Sequence, residues 1–272
     1  MKITFIGGGN MATALIGGMV KRGFEASQLH VIEPDALRRE HLKNEFGVIS
    51  SAPDEIFPKS DVIVFAIKPQ QFRAVAEAMK DRIDNALVIS IAAGIRADTL
   101  AQWLDHHPRI VRVMPNTPAL VQTGMSGVYA GPGVTDADRE VTERMLAAIG
   151  EFVWVDDESD MDGVTAISGS GPAYVFYFME AMQAAARAQG FAPEVAQKLA
   201  YQTFAGAVKL ALESPDDIAT LRHKVTSKGG TTERAINAFE NSQLRSTIIA
   251  AASAAAARSK ELGEELGRDI EP

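Results

Sequence analysis

The sequence predicts an α/β domain followed by an all-helical one. Three observations carry that prediction. Short apolar runs alternate with helical periodicities as far as residue 155. A glycine-rich turn joins the first apolar run to the first helix, and no strand-like run remains after an acidic stretch at 156–163. Alternation of apolar strands with helices means a parallel sheet covered on both faces.

The elements follow in order. KITFIG (2–7) is a short apolar run suited to a buried parallel strand. The residues after GGGN, MATALIGGMVKRG, repeat their apolar positions at helical spacing. LHVIE (29–33) is a second strand, and ALRREHLKNEFG (36–47) a helix ending at a glycine that tolerates a left-handed cap. DVIVFAIKP (61–69) is a strand stopped by proline, QQFRAVAEAMKDRI (70–83) a helix and ALVISIAAG (86–94) another buried strand. A short helix at 98–104, a strand at 109–115, a hairpin around SGVYAGPGV (126–134), a helix at 136–150 and a last strand at 151–155 complete this half. The acidic stretch DDESDMDG lacks periodicity, which puts the boundary there and predicts domains of 1–158 and 159–272. The second half reads as helices at 173–190, 193–214, 232–241 and 243–266. The last contains AAASAAAA, whose small side chains favour helix and let another helix approach closely, as at a contact between subunits.

Composition narrows the function. Of 272 residues, 46% are hydrophobic and 23% charged, as expected of a soluble globular protein. The net charge of −8 opposes non-specific nucleic-acid binding, which needs a basic surface. With no cysteine, disulfides, thiolate catalysis and cysteine-ligated metals are excluded. No metal site is expected. The opening MKITFIGGGN is too short an apolar run for a signal peptide, and no run of 18 apolar residues suggests a membrane span. A cytoplasmic location is the default expectation.

The N-terminal turn reads as a Rossmann-type dinucleotide site. Gly7-x-Gly9-x-x-Ala12 follows a strand and opens a helix. Gly7 allows the tight turn, Gly9 lets the backbone approach a pyrophosphate, and Ala12 lets the helix pack close to its strand. The free N–H groups of the helix start then face the phosphates. Gly8, Asn10 and Met11 join them as cofactor-binding candidates. Glu33, 24 positions after Gly9, is where an acid would take the ribose hydroxyls of NADH. Arg38 and Arg39 could serve a 2′-phosphate instead. Lys68 stands at the carboxyl end of its strand, the edge where open α/β sheets bind ligands. Ala66, Pro69, Ala93 and Gly94 complete the cofactor candidates, with Asn116 and Thr117, which follow a strand end in MPNTP, as candidates to touch the ribose or nicotinamide. For each charged residue a plain surface position is the alternative, and for Asn116 a simple turn.

A second loop, VTSKGGTTERAI (225–236), precedes a helix. Ser227, Gly229, Gly230, Thr231 and Thr232 make an array of N–H and hydroxyl donors without a permanent negative charge, suited to a small carboxylate. Caps alone would need no double glycine. SGSGPAY (168–174) is a comparable turn, with Pro172 at a favourable first-turn position. It reads equally as a site or as a packing turn.

FIGGGNMA, AIKPQ, RVMPNTP, AISGSGPAY and VTSKGGTTERAI, in this order, resemble the pyrroline-5-carboxylate reductase family over nearly the whole chain. The resemblance implies reduction of Δ1-pyrroline-5-carboxylate to L-proline with NADPH or NADH, the last step of proline synthesis. It implies a Rossmann domain followed by a helical domain that interlocks with a second subunit, in dimers that can assemble into decamers. It also implies that the 226–232 loop holds the substrate carboxylate, with Ser227 in contact, and that Thr232 assists protonation of the ring nitrogen. Lys228 stands where the family most often has proline, so the loop loses stiffness and gains a positive charge. A cyclic imine is already electrophilic and the nicotinamide supplies hydride, so catalysis asks mainly for orientation. His30, His41, His106, His107 and His223, expected at helix surfaces and loops, are not needed.

Two rivals remain. A β-hydroxyacid dehydrogenase-like enzyme would need a lysine in the helical half, and nothing marks a site around Lys198 or Lys209. A non-catalytic dinucleotide sensor would not need a hydroxyl-rich carboxylate cradle.

Overall fold

The structure is a computed structural model and describes residues 1–55 and 57–268. It divides into two compact units. Unit 1 is Met1–Ser170 together with the chain from Ala254 onward, and unit 2 is Gly171–Ser253. The compact units thus break later than the acidic stretch, and the end of the chain returns to unit 1.

Unit 1 begins β1 (Ile3–Ile6), α1 (Asn10–Lys21), β2 (Leu29–Ile32), α2 (Ala36–Phe46), β3 (Ile49–Ser51), β4 (Val62–Phe65) and α3 (Pro69–Met79). It continues through β5 (Leu87–Ser90), α4 (Ala97–Trp103), β6 (Ile110–Met114), β7 (Gly124–Ala130), α5 (Asp136–Leu146), β8 (Gly150–Val155) and α6 (Asp160–Val164). The eight strands form one sheet in the order β3-β2-β1-β4-β5-β6-β7-β8. β1 pairs in parallel with both β2 and β4, Ile3 lying opposite Leu29 on one side and Val62 on the other. The strand order therefore reverses beside β1, and the crevice at the carboxyl ends of β1 and β4 is the topological switch point where such sheets bind ligands.

The central strands β1, β4 and β5 are mainly apolar and buried at every position, so both faces of the sheet are covered there. Period-2 alternation sends Ile3 and Phe5 of β1, and Val62 and Val64 of β4, into one cluster with Leu15 and Met19 of α1. Their neighbours Ile6, Ile63 and Phe65 enter another with Phe72 of α3 and Leu100 and Trp103 of α4. Phe65 and Phe72 stack with ring centroids 5.1 Å apart.

Four features differ from the sequence expectation. The sheet is mixed, because β6 and β7 are antiparallel. The glycines of 126–134 suggest a hairpin, yet Gly127 lies within β7, where a Cβ would come within 2.4 Å of Val164. Here glycine admits a close neighbour rather than a turn. Edge strand β3 and the short helix α6 are too brief to show a period. Histidines also sit deeper than expected: His30 is on β2 and bonds Ser51 at 2.7 Å, and His107 is buried with Nε2 2.9 Å from the Ala86 carbonyl.

One buried ion pair ties the far side of unit 1 together. Arg112 of β6 donates to Glu158 at 3.0 Å, with side chains 6% and 11% exposed. The same Glu158 Oε1 accepts the Ala97 N–H at the start of α4 at 2.7 Å. Removing one partner of such a pair costs roughly 3–5 kcal/mol because the other charge stays buried.

Unit 2 contains α7 (Gly171–Ala188), α8 (Pro193–Glu213), α9 (Ile218–Lys224), α10 (Thr231–Asn241) and the start of α11 (Leu244–Arg268). α9 eluded the sequence reading because it has only two turns, though Asp217 caps it by accepting the Thr220 N–H at 2.7 Å. Among the described residues of unit 2, only Ala196 and Ala200 are buried hydrophobics. Leu212, Tyr177 and Phe176 are exposed by 82%, 72% and 59%. Large apolar side chains exposed to this degree, in a unit with so little core, mark an interaction face.

The end of α11 packs within unit 1. Ser259 Oγ bonds Asp162 of α6 at 2.6 Å, and Leu266 joins the second core cluster. Gly263 lies against Gly94, each lacking the Cβ that would separate the two backbones.

Candidate functional site

The glycine loop has the backbone its sequence calls for. Gly7 adopts φ +97°, and a Cβ there would come within 2.6 Å of the Ala66 carbonyl oxygen. Its N–H donates to the Ile32 carbonyl at 2.8 Å, carrying the β1–β2 ladder into the turn. Gly9 is the N-cap of α1, has no side-chain cap, and would meet nothing within 4 Å of an added Cβ. It therefore opens on free space beside the unpaired N–H groups of the first turn. Ala12 is fully buried against the sheet.

A cleft of about 410 Å³ lies in front of this turn. Gly9, Asn10 and Met11 line one side, Ala66, Lys68 and Pro69 another, and Ala93 and Arg38 also reach it. Pro69 is the first residue of α3 and Lys68 its N-cap, a placement that suits proline's fixed φ and missing N–H. Ile67, Ile91 and Ala92 line the same cleft. Nothing in the sequence marks them beyond their position at strand ends. Unpaired backbone N–H groups, an open glycine and two cationic side chains around one cleft fit a phosphate-bearing dinucleotide.

Three candidates have other partners. Glu33 is 4% exposed; its Oε2 accepts the Gly8 N–H at 2.7 Å and its Oε1 the Asp35 N–H at 3.0 Å. Asn116 donates to the Ser168 carbonyl at 3.0 Å and accepts the Met125 N–H at 2.9 Å. It clamps the turn of SGSGPAY, whose first residues form a π-helical turn (Thr165–Gly169), to the start of β7. Ser168, at the start of that stretch, thereby has a packing partner within unit 1. Gly94, at φ +78°, faces Leu266 and Gly263 of α11. The two arginines separate as well. Arg39 donates to the Glu33 and Pro34 carbonyls at 2.6 and 2.9 Å, whereas Arg38 lines the cleft.

The second loop lies in unit 2, between α9 and α10. Gly229 turns with φ +74°. The Gly230 N–H donates to the Ser227 carbonyl at 3.0 Å, and the Gly229 N–H donates to Glu233 Oε2 at 2.8 Å. Gly230 is the N-cap of α10 and offers no side-chain cap, so the first-turn N–H groups stay available. Ser227, Lys228 and Gly229 are exposed and Thr232 half-buried. Among the described residues, the hydroxyls of Ser227, Thr231 and Thr232 make no hydrogen bond. Glu233, the acid that steadies the turn, was not singled out from the sequence, although Glu at the third helical position is a recognisable capping signal.

No group of three His, Cys, Asp or Glu residues able to hold a metal occurs among the described residues. Burial pushes the His107 imidazole below its usual value despite its bond to Ala86, and burial does the same to His30. Lys209 is exposed and 3.8 Å from Glu213, an ordinary surface pair on α8. No helix among the described residues is long and apolar enough to cross a membrane.

Residues 158–262 match the family model for pyrroline-5-carboxylate reductase dimerisation. Residues 2–94 match that for coenzyme F420-dependent NADP oxidoreductases. A pyrroline-5-carboxylate reductase of Pseudomonas aeruginosa is 42% identical over 269 residues, covering 98% of both chains. The chain belongs to the pyrroline-5-carboxylate reductase family. The Pasteurella multocida reductase is 43% identical over 266 residues, 96% of this chain and 97% of its own. A solved pyrroline-5-carboxylate reductase from Coxiella burnetii superimposes with a TM-score of 0.91 at 39% identity, covering 96% of this chain and 98% of its own. The Plasmodium falciparum enzyme, solved with NADP bound, gives 0.86 at 29% identity, covering 97% and 98%. A dinucleotide-binding α/β part thus precedes a helical part of dimerisation type, and it is the Plasmodium falciparum relative that was solved with NADP bound.

Proposed function

We propose that the chain reduces Δ1-pyrroline-5-carboxylate to L-proline, the last step of proline synthesis, at the expense of NADPH or NADH. The observation that carries this is the 42% identity to a reductase over 98% of both chains, and the two donor loops supply the groups the reaction needs. When bound, the reduced nicotinamide supplies a hydride to the imine carbon. The α1 N–H groups and Lys68 hold the pyrophosphate, with Arg38 beside them on the cleft. Ser227, Gly229, Gly230, Thr231 and Thr232 hold the substrate carboxylate through N–H groups and hydroxyls. Thr232 passes a proton to the ring nitrogen, so one hydride and one proton convert C=N to CH–NH. Asn116 and Gly94 act through the backbone they fix. Functional domains of 1–158 and 159–272 account for this division of labour. The working form is a homodimer, able to build a decamer, in the cytoplasm.

The test is to incubate the pure protein with NADPH and pyrroline-5-carboxylate and follow the absorbance of reduced nicotinamide, with proline measured at the end. Oxidation matched by proline formation is expected. Dinucleotide binding without turnover would favour a sensor and sink the enzymatic reading.

A further inference from the structure

An acid at the end of the second strand ordinarily marks a site for NADH, because it accepts the ribose hydroxyls and repels a 2′-phosphate. Glu33 occupies that position, but its carboxylate is engaged elsewhere. It is 4% exposed, with Oε2 accepting the Gly8 N–H at 2.7 Å and Oε1 the Asp35 N–H at 3.0 Å. The Glu33 carbonyl accepts a bond of 2.6 Å from Arg39. Gly8 fits because it has no side chain: a Cβ there would come within 3.4 Å of Glu33 and 2.8 Å of Leu42. Bonds between backbone donors and a buried carboxylate are short and strong, so this acid sets the conformation of the glycine loop.

The opposite charge remains on the cleft side. Arg39 is committed to two carbonyls, while Arg38 lines the cleft beside Gly9, Asn10 and Met11. The acid nearest to it, Asp35, is 3.8 Å away and itself caps α2 through the Leu37 and Arg38 N–H groups.

We infer that this cleft selects the 2′-phosphorylated dinucleotide, with Glu33 as a positioning residue for the glycine loop and Arg38 as the partner of the 2′-phosphate. The inference rests on the dinucleotide reading of the loop. It differs from that reading in assigning Glu33 away from the ribose.

Calorimetry on the intact protein tests it with NADPH, NADH, and the unreactive fragments adenosine 2′,5′-bisphosphate and ADP. The parent should bind NADPH and the bisphosphate at least tenfold more tightly than NADH and ADP. Arg38→Ala should weaken the first two by roughly ten- to a hundredfold, the range for hydrogen bonds to charged groups, and leave NADH and ADP within about threefold. Glu33→Ala should weaken NADPH and NADH alike. Glu33→Gln keeps the shape and one acceptor, and should recover most of that loss without changing the ratio. A parent that prefers NADH, an Arg38→Ala loss equal for both, or a Glu33→Gln loss confined to NADH would overturn the assignment. If no nucleotide binds at all, the dinucleotide reading itself fails and takes this inference with it.

Discussion

Thr232 is the residue on which the proposed chemistry turns. Its hydroxyl has no partner among the described residues and sits in the first turn of α10. Thr232→Val keeps its shape and should lower kcat by roughly 10²–10⁴-fold, the range for a positioned proton-transfer group. KM should change little, because the group acts more strongly in the transition state. Thr231→Val should do much less, and Ser227→Ala should raise KM instead. A Thr232→Val enzyme with parental kcat would leave the loop as a cradle only, with water delivering the proton. At this scale the sequence was informative wherever geometry is local. Gly7, Gly9 and Ala12 are legible because one turn of chain decides what each must do. The contacts that Asn116, Glu33 and Gly94 make were not legible because their partners are distant in sequence. Ser168 lies 52 positions from Asn116 and Gly8 lies 25 from Glu33. Which arginine faces the cleft was likewise hidden, since consecutive helical residues point in different directions and only the fold says where.

Among the elements, α5 illustrates how one acid can hold a helix and a strand. Thr135 and Asp138 form a reciprocal capping box, Thr135 donating to the Asp138 carboxylate and accepting its N–H. Arg109, just before β6, donates to the same carboxylate through Nε at 3.1 Å. Burial alone would raise the Asp138 carboxyl, but the Arg109 guanidinium and the Thr135 donors outweigh it and hold it below the usual carboxylate range. A depressed value in the folded state stabilises at neutral pH, and that stability is lost as pH falls from about 4 through the folded value. Asp138→Asn should therefore cost roughly 1–3 kcal/mol at pH 7, discounted for the partial exposure of Arg109. Urea melts of parent and variant should converge as the pH is lowered below about 4. A gap that stayed constant across that range would show that the charge on Asp138 is not what matters. β4 was legible as an unbroken apolar run, and α8 because a helix of 21 residues keeps one period throughout. β3, α6 and α9 were not, since a period cannot be seen in so few residues, and β7 was obscured by glycines whose purpose is close packing.

For the whole molecule, the decisive contrast is between a unit with two buried clusters and a unit with almost none. Unit 2 presents Tyr177, Phe176 and Leu212 to solvent. A free surface of that kind calls for cover by a second copy, in keeping with the dimerisation model that matches 158–262. Leu212→Asp and Tyr177→Asp should each reduce the assembly mass measured by light scattering or cause aggregation. The parental mass in both would mean that these faces take no part in association. The path of the chain adds a constraint on how the protein is made. The segments that close unit 1, from Ser259 on Asp162 to Leu266 in the second core cluster, are encoded after every residue of unit 2. During synthesis, where N-terminal domains ordinarily fold first, the sheet can assemble once Val155 has emerged from the ribosome. The backbone contact between Gly94 and Gly263 must wait for another hundred or so residues. Between those two moments the nascent chain carries an unfinished first domain, with the surfaces around Gly94 and Asp162 open to chaperones.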